Sequence, residues 1–380
     1  MSAKINNLKE EDRKLTFTLS GIDVSYANAI RRTILSDIPI VVFKTTPYEE
    51  NKANILINTS RLNNEVVKQR LSCIPICMQI NEEFIKDHQL ELDVENKTDT
   101  IMMVTTKDFK IKNIRTNEYL EDRKLREIFP PFILPDGSKE YFIDFLRLRP
   151  KISDEIPGEK IKLTCQFSVG TAKDDSMFNV VGTCSYGYTP DYEKMTQQLE
   201  IHKQKWKDAG KNEKEIRFEA ENWKLLDGLR NYIKDSFDFV MESVGIYEND
   251  QIIIHSCIIL LNKLDNLKKV IEEEGIQIKP SDNTLDNCYD ITLENEDYTL
   301  GNILNYELYK TFYTDLKIIN YVGFKKLHPH DNDSLLRVSL VENEKGVSSV
   351  KTMLLASIDN ALKTIAGIRG CFDGTRDRAR

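Results

Sequence analysis

The sequence predicts an α+β fold: one strand-and-helix domain split by a β-rich insert, followed by a second domain built on the same plan. Three observations lead there. Short alternating runs that bury one face of a strand flank stretches whose apolar residues recur every four positions, as on one face of a helix. "SYANAIRRTIL" (Ser25 to Leu35) and "TLGNILNYELY" (Thr299 to Tyr309), at opposite ends of the chain, are written to one pattern. From about residue 44 to 180 the texture changes to short β-rich runs separated by turns.

Taken in order, Leu15, Phe17 and Leu19 alternate with Thr16, Thr18 and Ser20, which predicts a half-buried strand from Leu15 to Val24. Ser25 is placed to cap the helix that follows. Ile30, Ile34 and Ile38 stack on one helical face, and Pro39 stops it, because the residue before a proline avoids the helical region. In the insert, Ile55 to Ile76 reads as strand, turn, short helix and proline stop. Phe129 to Ser138 reads as a loop turning at Asp136-Gly137, and Ile161 to Gly170 as a strand.

Tyr186 to Tyr232 is polar and predicts a helical excursion. Phe237, Phe239, Met241 and Ser243 then alternate as a strand. Gln251 to Glu274 predicts a long helix with Ile254, Ile258 and Leu261 on its buried side. Glu273 to Asn287, rich in Gly, Pro, Ser, Asp and Asn, reads as a linker. Beyond it come a strand at Cys288, a helix from Thr299 to Phe312 carrying Leu300, Leu304, Leu308 and Phe312, two strands, and a last helix from Val347 to Ile368 with Val350, Leu354, Ile358 and Leu362 in a row.

The two opening helices align on Asn28 and Asn302. Asp23 matches Asp297, Ser25 matches Thr299, Ala27 matches Gly301, Ile30 matches Leu304 and Ile34 matches Leu308. A small residue allows close approach of another backbone, and the apolar row buries against a partner. Two such halves could pair their helices across a pseudo-twofold axis, as an isologous dimer does between chains. Two unrelated amphipathic helices sharing a cap rule would also give the periodicity, so from the residues alone both readings stay open.

Composition narrows the function classes. The chain has 380 residues, enough for two or three domains, and a net charge of −8 from 53 basic and 61 acidic residues. A whole-molecule grip on nucleic acid would show as a basic excess. The lysines from Lys194 to Lys214 are mixed with acids and read as a solvated helix face. The polar N-terminus lacks the apolar stretch of a secretory signal. The apolar run Gln251 to Leu261 is far short of the roughly 20 residues a membrane span needs. Seven scattered cysteines fit buried free thiols better than a disulfide framework.

No phosphate-binding GxxxxGK[ST] loop and no GxSxG elbow occurs, and the five histidines stand in no triad-like context. His255, inside an apolar helix, reads as a hydrogen-bonded core or partner residue. Cys73 and Cys77 have zinc spacing but no second ligand pair nearby, so core thiols are expected. His328, His330, Asp331 and Asp333 have the look of a metal loop and equally of a turn. A stand-alone metal-binding module or enzyme using Cys73/Cys77 or the 328–333 loop is the alternative function these residues leave.

At the opening helix the chain resembles a known family. "DVSYANAIRRTILSDIP" (Asp23 to Pro39) is similar to the first helix of the alpha-like subunits of DNA-directed RNA polymerase. "NTSRLNNEVVKQRLSCIPI" (Asn58 to Ile76) and "LTCQFSVGTAKDDSMFNVVG" (Leu163 to Gly182) are similar to stretches of the larger alpha-like subunit, the third subunit of the eukaryotic enzyme. Glu296 to Leu340, through "VGFKKLHPHDNDSLLRVSL", is similar to its smaller partner, the eleventh subunit. The region from Asp191 to Tyr232 has no counterpart.

The resemblance implies a third-subunit-like dimerisation domain over 1–43 and 181–275, a β-rich insert domain over 44–180, and an eleventh-subunit-like dimerisation domain over 276–380. It implies a fused chain of the kind found in large DNA viruses. Such a chain would pair its halves through Ile30, Ile34, Leu300, Leu304, Leu308 and Phe312 and nucleate assembly of the two large catalytic subunits. Asn28, Arg31, Arg32 and Arg70 are expected at partner-subunit contacts, since arginine pairs bidentately with carboxylates.

Catalytic residues would belong to the largest subunit. Smaller polymerase subunits are further expected partners; sequence-specific nucleic-acid binding and membrane contact are not. Some family members hold zinc or an iron–sulfur cluster through clustered cysteines. The matching stretch here, 79–99, has none, so no metal or other cofactor is expected. The expected location is intracellular: host cytoplasm, viral factory and virion for a viral protein, nucleus for a cellular one. The basic tail "IRGCFDGTRDRAR" (Ile368 to Arg380) is left as disordered or docked on another subunit.

Overall fold

The computed structural model describes residues 3–153, 155–282, 286–341 and 346–373. The chain divides into two compact units. One comprises residues 1–34, 183–242 and 249–380, the other 35–182 and 243–248.

The first unit opens with β1 (Lys4–Glu11), β2 (Lys14–Ser20) and α1 (Val24–Ser36). The second unit holds β3 (Ile40–Val42), β4 (Ala53–Asn58), α2 (Asn64–Ser72), α3 (Glu82–Asp87), β5 (His88–Glu95), β6 (Met102–Thr105), β7 (Lys110–Asn113), α4 (Asp122–Ile128), β8 (Phe132–Ile133), β9 (Glu140–Tyr141), β10 (Asp144–Leu148), β11 (Lys160–Gln166) and β12 (Ser168–Gly170). The chain resumes the first unit with β13 (Val181–Pro190), α5 (Tyr192–Asp208), α6 (Glu213–Leu225), β14 (Tyr232–Ser243) and α7 (Asn249–Glu272). Then follow β15 (Ile278–Pro280), β16 (Cys288–Leu293), α8 (Tyr298–Leu308), β17 (Ile319–Lys325), β18 (Ser334–Leu340) and α9 (Val347–Phe372).

The first unit repeats one topology. Its two four-stranded sheets run β1-β2-β14-β13 and β15-β16-β18-β17. Each is built in the order strand, strand, helix, strand, strand, helix, with α1 and α7 in the first copy and α8 and α9 in the second. The repeat extends to register. Phe17 faces Phe239 across β2 and β14, and Ile291 faces Leu336 across β16 and β18. Phe17 and Ile291 are 274 residues apart, the spacing of Asn28 to Asn302. Cross-strand apolar pairs of this kind are the unit of sheet stabilisation. The Phe17 ring stacks on Phe239 at 5.0 Å and meets Phe372 of α9 edge-on at 5.3 Å, so the last helix closes over the first sheet.

The second unit is built on the antiparallel sheet β4-β11-β5-β7. Its core gathers Phe43, Phe109, Phe129, Phe145 and Phe167 around Leu90, Leu163 and Ile161. Asn63 caps α2 by accepting from the Val66 amide, and Val67 and Leu71 are its buried face.

Several sequence expectations are corrected. Ser25 and Thr299 do not cap their helices; Asp23 and Asp297, two residues earlier, accept from the Ser25 and Thr299 amides, both at 2.8 Å. A carboxylate carries the charge that the helix N-terminus favours, which a hydroxyl lacks. The stretch Phe129 to Ser138 is more than a loop: β8 and β9 pair as a short hairpin turning at Gly137, whose φ of +69° suits glycine. Ile161 to Gly170 breaks into β11 and β12. The excursion is strand as far as Pro190 before its two helices, which share a small core of Leu199, Trp206, Ala220 and Trp223.

On α7 the buried side is Ile253, Cys257, Leu260 and Leu264, whereas Ile254, Ile258 and Leu261 are half-buried. The segment Gln251 to Leu261 is apolar nearly all round, so periodicity alone misassigns its face. The expected linker contributes β15, and its residues 283–285 lie outside the described residues. Helix α8 ends at Leu308 and widens into a π-helical turn, Tyr309–Asp315, which still buries Phe312. On α9 the row continues through Ala361 and Ile365, and Leu362 is half-buried. Of the basic tail, residues 374–380 lie outside the described residues.

Candidate functional site

The residues singled out in the opening helices all lie in the first unit. Ile30, Ile34, Leu300, Leu304, Leu308 and Phe312 are all buried. Polar side chains hydrogen-bond α1 to α8, and the apolar pattern gave no hint of these bonds. Arg32 of α1 donates from Nη2 to Asp297 Oδ2 at 2.5 Å and from Nε to Thr299 Oγ1 at 3.0 Å. The acid that caps α8 is thus also the partner of an α1 guanidinium. Burial pushes the Asp297 carboxyl upward, but the Thr299 bonds and the Arg32 charge outweigh it and hold the group below its ordinary range.

By the 274-residue spacing, the position matching Arg32 is Tyr306, and the position matching Asp297 is Asp23. Burial pushes the Tyr306 hydroxyl up to about 12, with the Asp23 charge next in effect. Arg32, late in α1, meets Asp297 at the start of α8, and Tyr26, early in α1, meets Glu307 near the end of α8. That is the arrangement of two antiparallel helices about a local twofold. Deeper in, Tyr26 Oη donates to Glu307 Oε1 at 2.6 Å, and the Tyr26 and Tyr306 rings meet edge-on at 6.1 Å. Tyr26 is 1% and Glu307 3% exposed. Burial pushes the Glu307 carboxyl up, opposed by the Tyr26 bond and by Lys310. A buried carboxylate is tolerated only with such partners.

A second antiparallel helix pair accompanies the first. Lys268 of α7 bonds Asp359 of α9 at 2.7 Å, and Glu274 lies 3.4 Å from Lys351. Ile253, Cys257, Leu260 and Leu264 on α7 and Val350, Leu354, Ile358 and Ile365 on α9 are buried. The two long helices of the repeated topology are thus neighbours, as the two short ones are. The small residue of α8 has a different role from the one expected. A Cβ at Gly301 would fall 2.0 Å from the Phe324 ring of β17, so glycine admits an aromatic side chain rather than a backbone.

Of the four residues expected at partner contacts, Arg32 is committed to Asp297 within the chain. Arg31 donates from Nε and Nη2 to Asn28 Oδ1 at 3.1 and 2.9 Å, both residues being half-buried. Arg70, in the second unit, donates to the carbonyls of Phe145 and Asp144 at 2.5 and 3.0 Å and so holds strand β10.

Cys73 is exposed, with its sulfur 3.9 Å from that of Met177, and so is not the core thiol expected; Cys77 is half-buried. Its position as the last-turn cap of α2 carries it out of the apolar face. Among the described residues no three His, Cys, Asp or Glu side chains gather as metal ligands. Residues 328–333 form a turn between β17 and β18, with the Asp331 amide donating to the His328 carbonyl at 3.1 Å. His255 is half-buried on α7, and burial pushes its imidazole below its ordinary range. No described helix is long and apolar enough to cross a membrane.

Related proteins include three of known name. A "Conjugation stage-specific protein" of Tetrahymena thermophila is 24% identical over 312 residues, 70% of this chain and 94% of that protein. The "DNA-directed RNA polymerases I and III subunit rpac1" of Dictyostelium discoideum is 28% identical over 195 residues, 49% of this chain and about half, 52%, of that protein. The "DNA-directed RNA polymerases IV and V subunit 3B" of Arabidopsis thaliana is 25% identical over 308 residues, 70% of this chain and 90% of that protein. The family model described as the RNA polymerase Rpb3/Rpb11 dimerisation domain matches residues 16–264, which contain most of β2, all of α1 and β14, and most of α7. A helix-pairing unit of repeated topology with that match has one family reading: the chain belongs to the RNA polymerase Rpb3/Rpb11 dimerisation domain family.

Proposed function

We propose that this chain is the assembly platform of a multisubunit DNA-directed RNA polymerase and carries both alpha-like halves in one polypeptide. Residues 1–43 and 181–275 are the third-subunit-like half, 44–180 the insert domain, and 276–380 the eleventh-subunit-like half. The observation that carries the reading is the repeated strand order, β1-β2-β14-β13 and β15-β16-β18-β17, with α1 against α8 and α7 against α9. In separate subunits such a pairing is intermolecular. Here it is intramolecular, which replaces a bimolecular encounter by a high effective concentration.

The platform performs no chemistry of its own. Its role is to present a rigid paired surface to the two large catalytic subunits and to smaller polymerase subunits, with Asn28, Arg31 and Arg70 at those contacts. The fused arrangement is of the kind found in large DNA viruses, which supports a site of action in the viral factory and virion; a cellular protein of this kind would act in the nucleus. Affinity purification of the tagged chain from its native source tests this. Two very large subunits and template-dependent RNA synthesis are expected in the eluate. A chain that elutes alone, with no polymerase activity, sinks the proposal.

A further inference from the structure

The second unit carries an open groove of about 610 Å³ that the helix pairing does not use. Its floor is the two-stranded ribbon of β10 and β6, where Arg147 lies directly across from Met103. Leu62, Ile101, Met103 and Leu146 supply its apolar wall, and Ile101 is 66% exposed. Four arginines line it: Arg61, Arg70, Arg147 and Arg149.

Two of the four are already engaged. Arg70 holds the Asp144 and Phe145 carbonyls. Arg149 bonds the buried Glu159 carboxylate at 2.5 Å. Arg61 and Arg147 are exposed and have no ion-pair partner among the described residues. The lining holds two carboxylates, Asp144 and Glu159, against the four guanidinium groups. A positive groove on a chain of net charge −8 is a local departure from its surroundings.

We propose that this groove binds an extended acidic peptide segment of a partner protein, with carboxylates on Arg61 and Arg147 and aliphatic side chains on Ile101, Met103 and Leu62. Guanidinium forks bind carboxylate and phosphate alike, so the wall decides between them. Single-stranded nucleic acid is gripped by aromatic rings on which bases stack. The groove wall is aliphatic and sulfur-bearing, with no aromatic residue in its lining. Aliphatic side chains alternating with carboxylates match it.

The test uses the full-length chain and a fluorescein-labelled peptide of alternating glutamate and valine, read by anisotropy. The expected result is binding that weakens with added salt and falls by about tenfold or more in both Arg61→Glu and Arg147→Glu, as for loss of a charge-assisted bond. Both side chains are exposed, so thermal unfolding should match the unsubstituted chain. Arg147→Gln is the milder variant if charge reversal disturbs folding, and a smaller loss is expected there. Absence of binding, or binding indifferent to all three variants, overturns the proposal. Displacement of the peptide by oligothymidylate at equal concentration also overturns it, by identifying a phosphate site.

Discussion

Substituting Tyr26 by Phe removes one hydroxyl and leaves Glu307 buried without its donor. A buried hydrogen bond to a charged group contributes about 1.5–3 kcal/mol, and an orphaned carboxylate costs more. Glu307 limits the loss by taking up a proton, since its pKa is already raised by burial. The expected destabilisation is therefore about 2–3 kcal/mol, on the order of 30- to 150-fold in the opening equilibrium. Glu307→Gln keeps an acceptor for Tyr26 and should cost less.

The double variant then separates the shared bond from the two separate substitutions. Its loss should fall short of the sum of the single losses by about 1 kcal/mol or more. Because the chain has two units, a single unfolding midpoint would blend them. Hydrogen exchange of the α1 and α8 amides reads the pairing itself. The pH dependence carries a sign. A raised carboxyl pKa contributes stability that is full below its ordinary value of 4.5 and is lost as pH rises through its folded value. Relative to Glu307→Gln, the unsubstituted chain should lose protection over that window. Tyr26→Phe should move the loss to higher pH. Strict additivity of the two substitutions, with no pH-dependent difference, would refute the coupling of α1 to α8 through this pair.

Arg32→Ala should weaken the same seam by about 1 kcal/mol, since the ion pair is only partly buried. Asp297→Asn, which keeps an acceptor for the Thr299 amide, should abolish the loss of protection that the depressed Asp297 carboxyl causes as pH falls below its ordinary 3.8. Gly301→Ala forces the Phe324 ring to move and should cost about 1–3 kcal/mol, measured by urea unfolding of the full chain. A neutral Gly301→Ala would mean the ring has free space. Cys73 should react with a maleimide in the native chain. Cys165, Cys184 and Cys257, buried and pushed up to about 12, should react only on unfolding, as peptide mapping by mass spectrometry would resolve.

The rows Ile30–Ile34 and Leu300–Leu304–Leu308 were legible because a buried helix face writes itself into local spacing. So were the alternating residues of β2 and β14, and the match of Asp23 to Asp297. The cap, assigned to Ser25, belongs to Asp23. A hydroxyl at the third position before Asn28 satisfies the cap rule on paper, and only the backbone conformation decides which side chain reaches the amide. The Tyr26–Glu307 bond was invisible because its partners lie 281 residues apart, and neither residue is unusual in its own helix. The α7 face failed for the opposite reason: with apolar residues on every side, spacing carries no direction. Arg32 reads from the sequence as a partner-facing charge because its acceptor, Asp297, lies 265 residues away.

The repeat is accurate in topology but not in polarity, and the difference has a consequence. The position matching Tyr26 is Leu300, and the position matching Glu307 is Thr33, whose buried hydroxyl has no hydrogen-bond partner among the described residues. The strong buried bond therefore exists on one side of the local twofold only. If the second half paired with another copy of itself, each Glu307 would face a Leu300, a buried carboxylate with no donor. If the first half paired with itself, each Tyr26 would face a Thr33, so no carboxylate would be stranded. The cap contacts discriminate less: Asp23 and Asp297 are both acids and would accept from either helix. Rejection of the wrong partner thus falls chiefly on Glu307, whose counterpart in α1 is the uncharged Thr33, and it works through the energy of the incorrect pairing rather than that of the correct one.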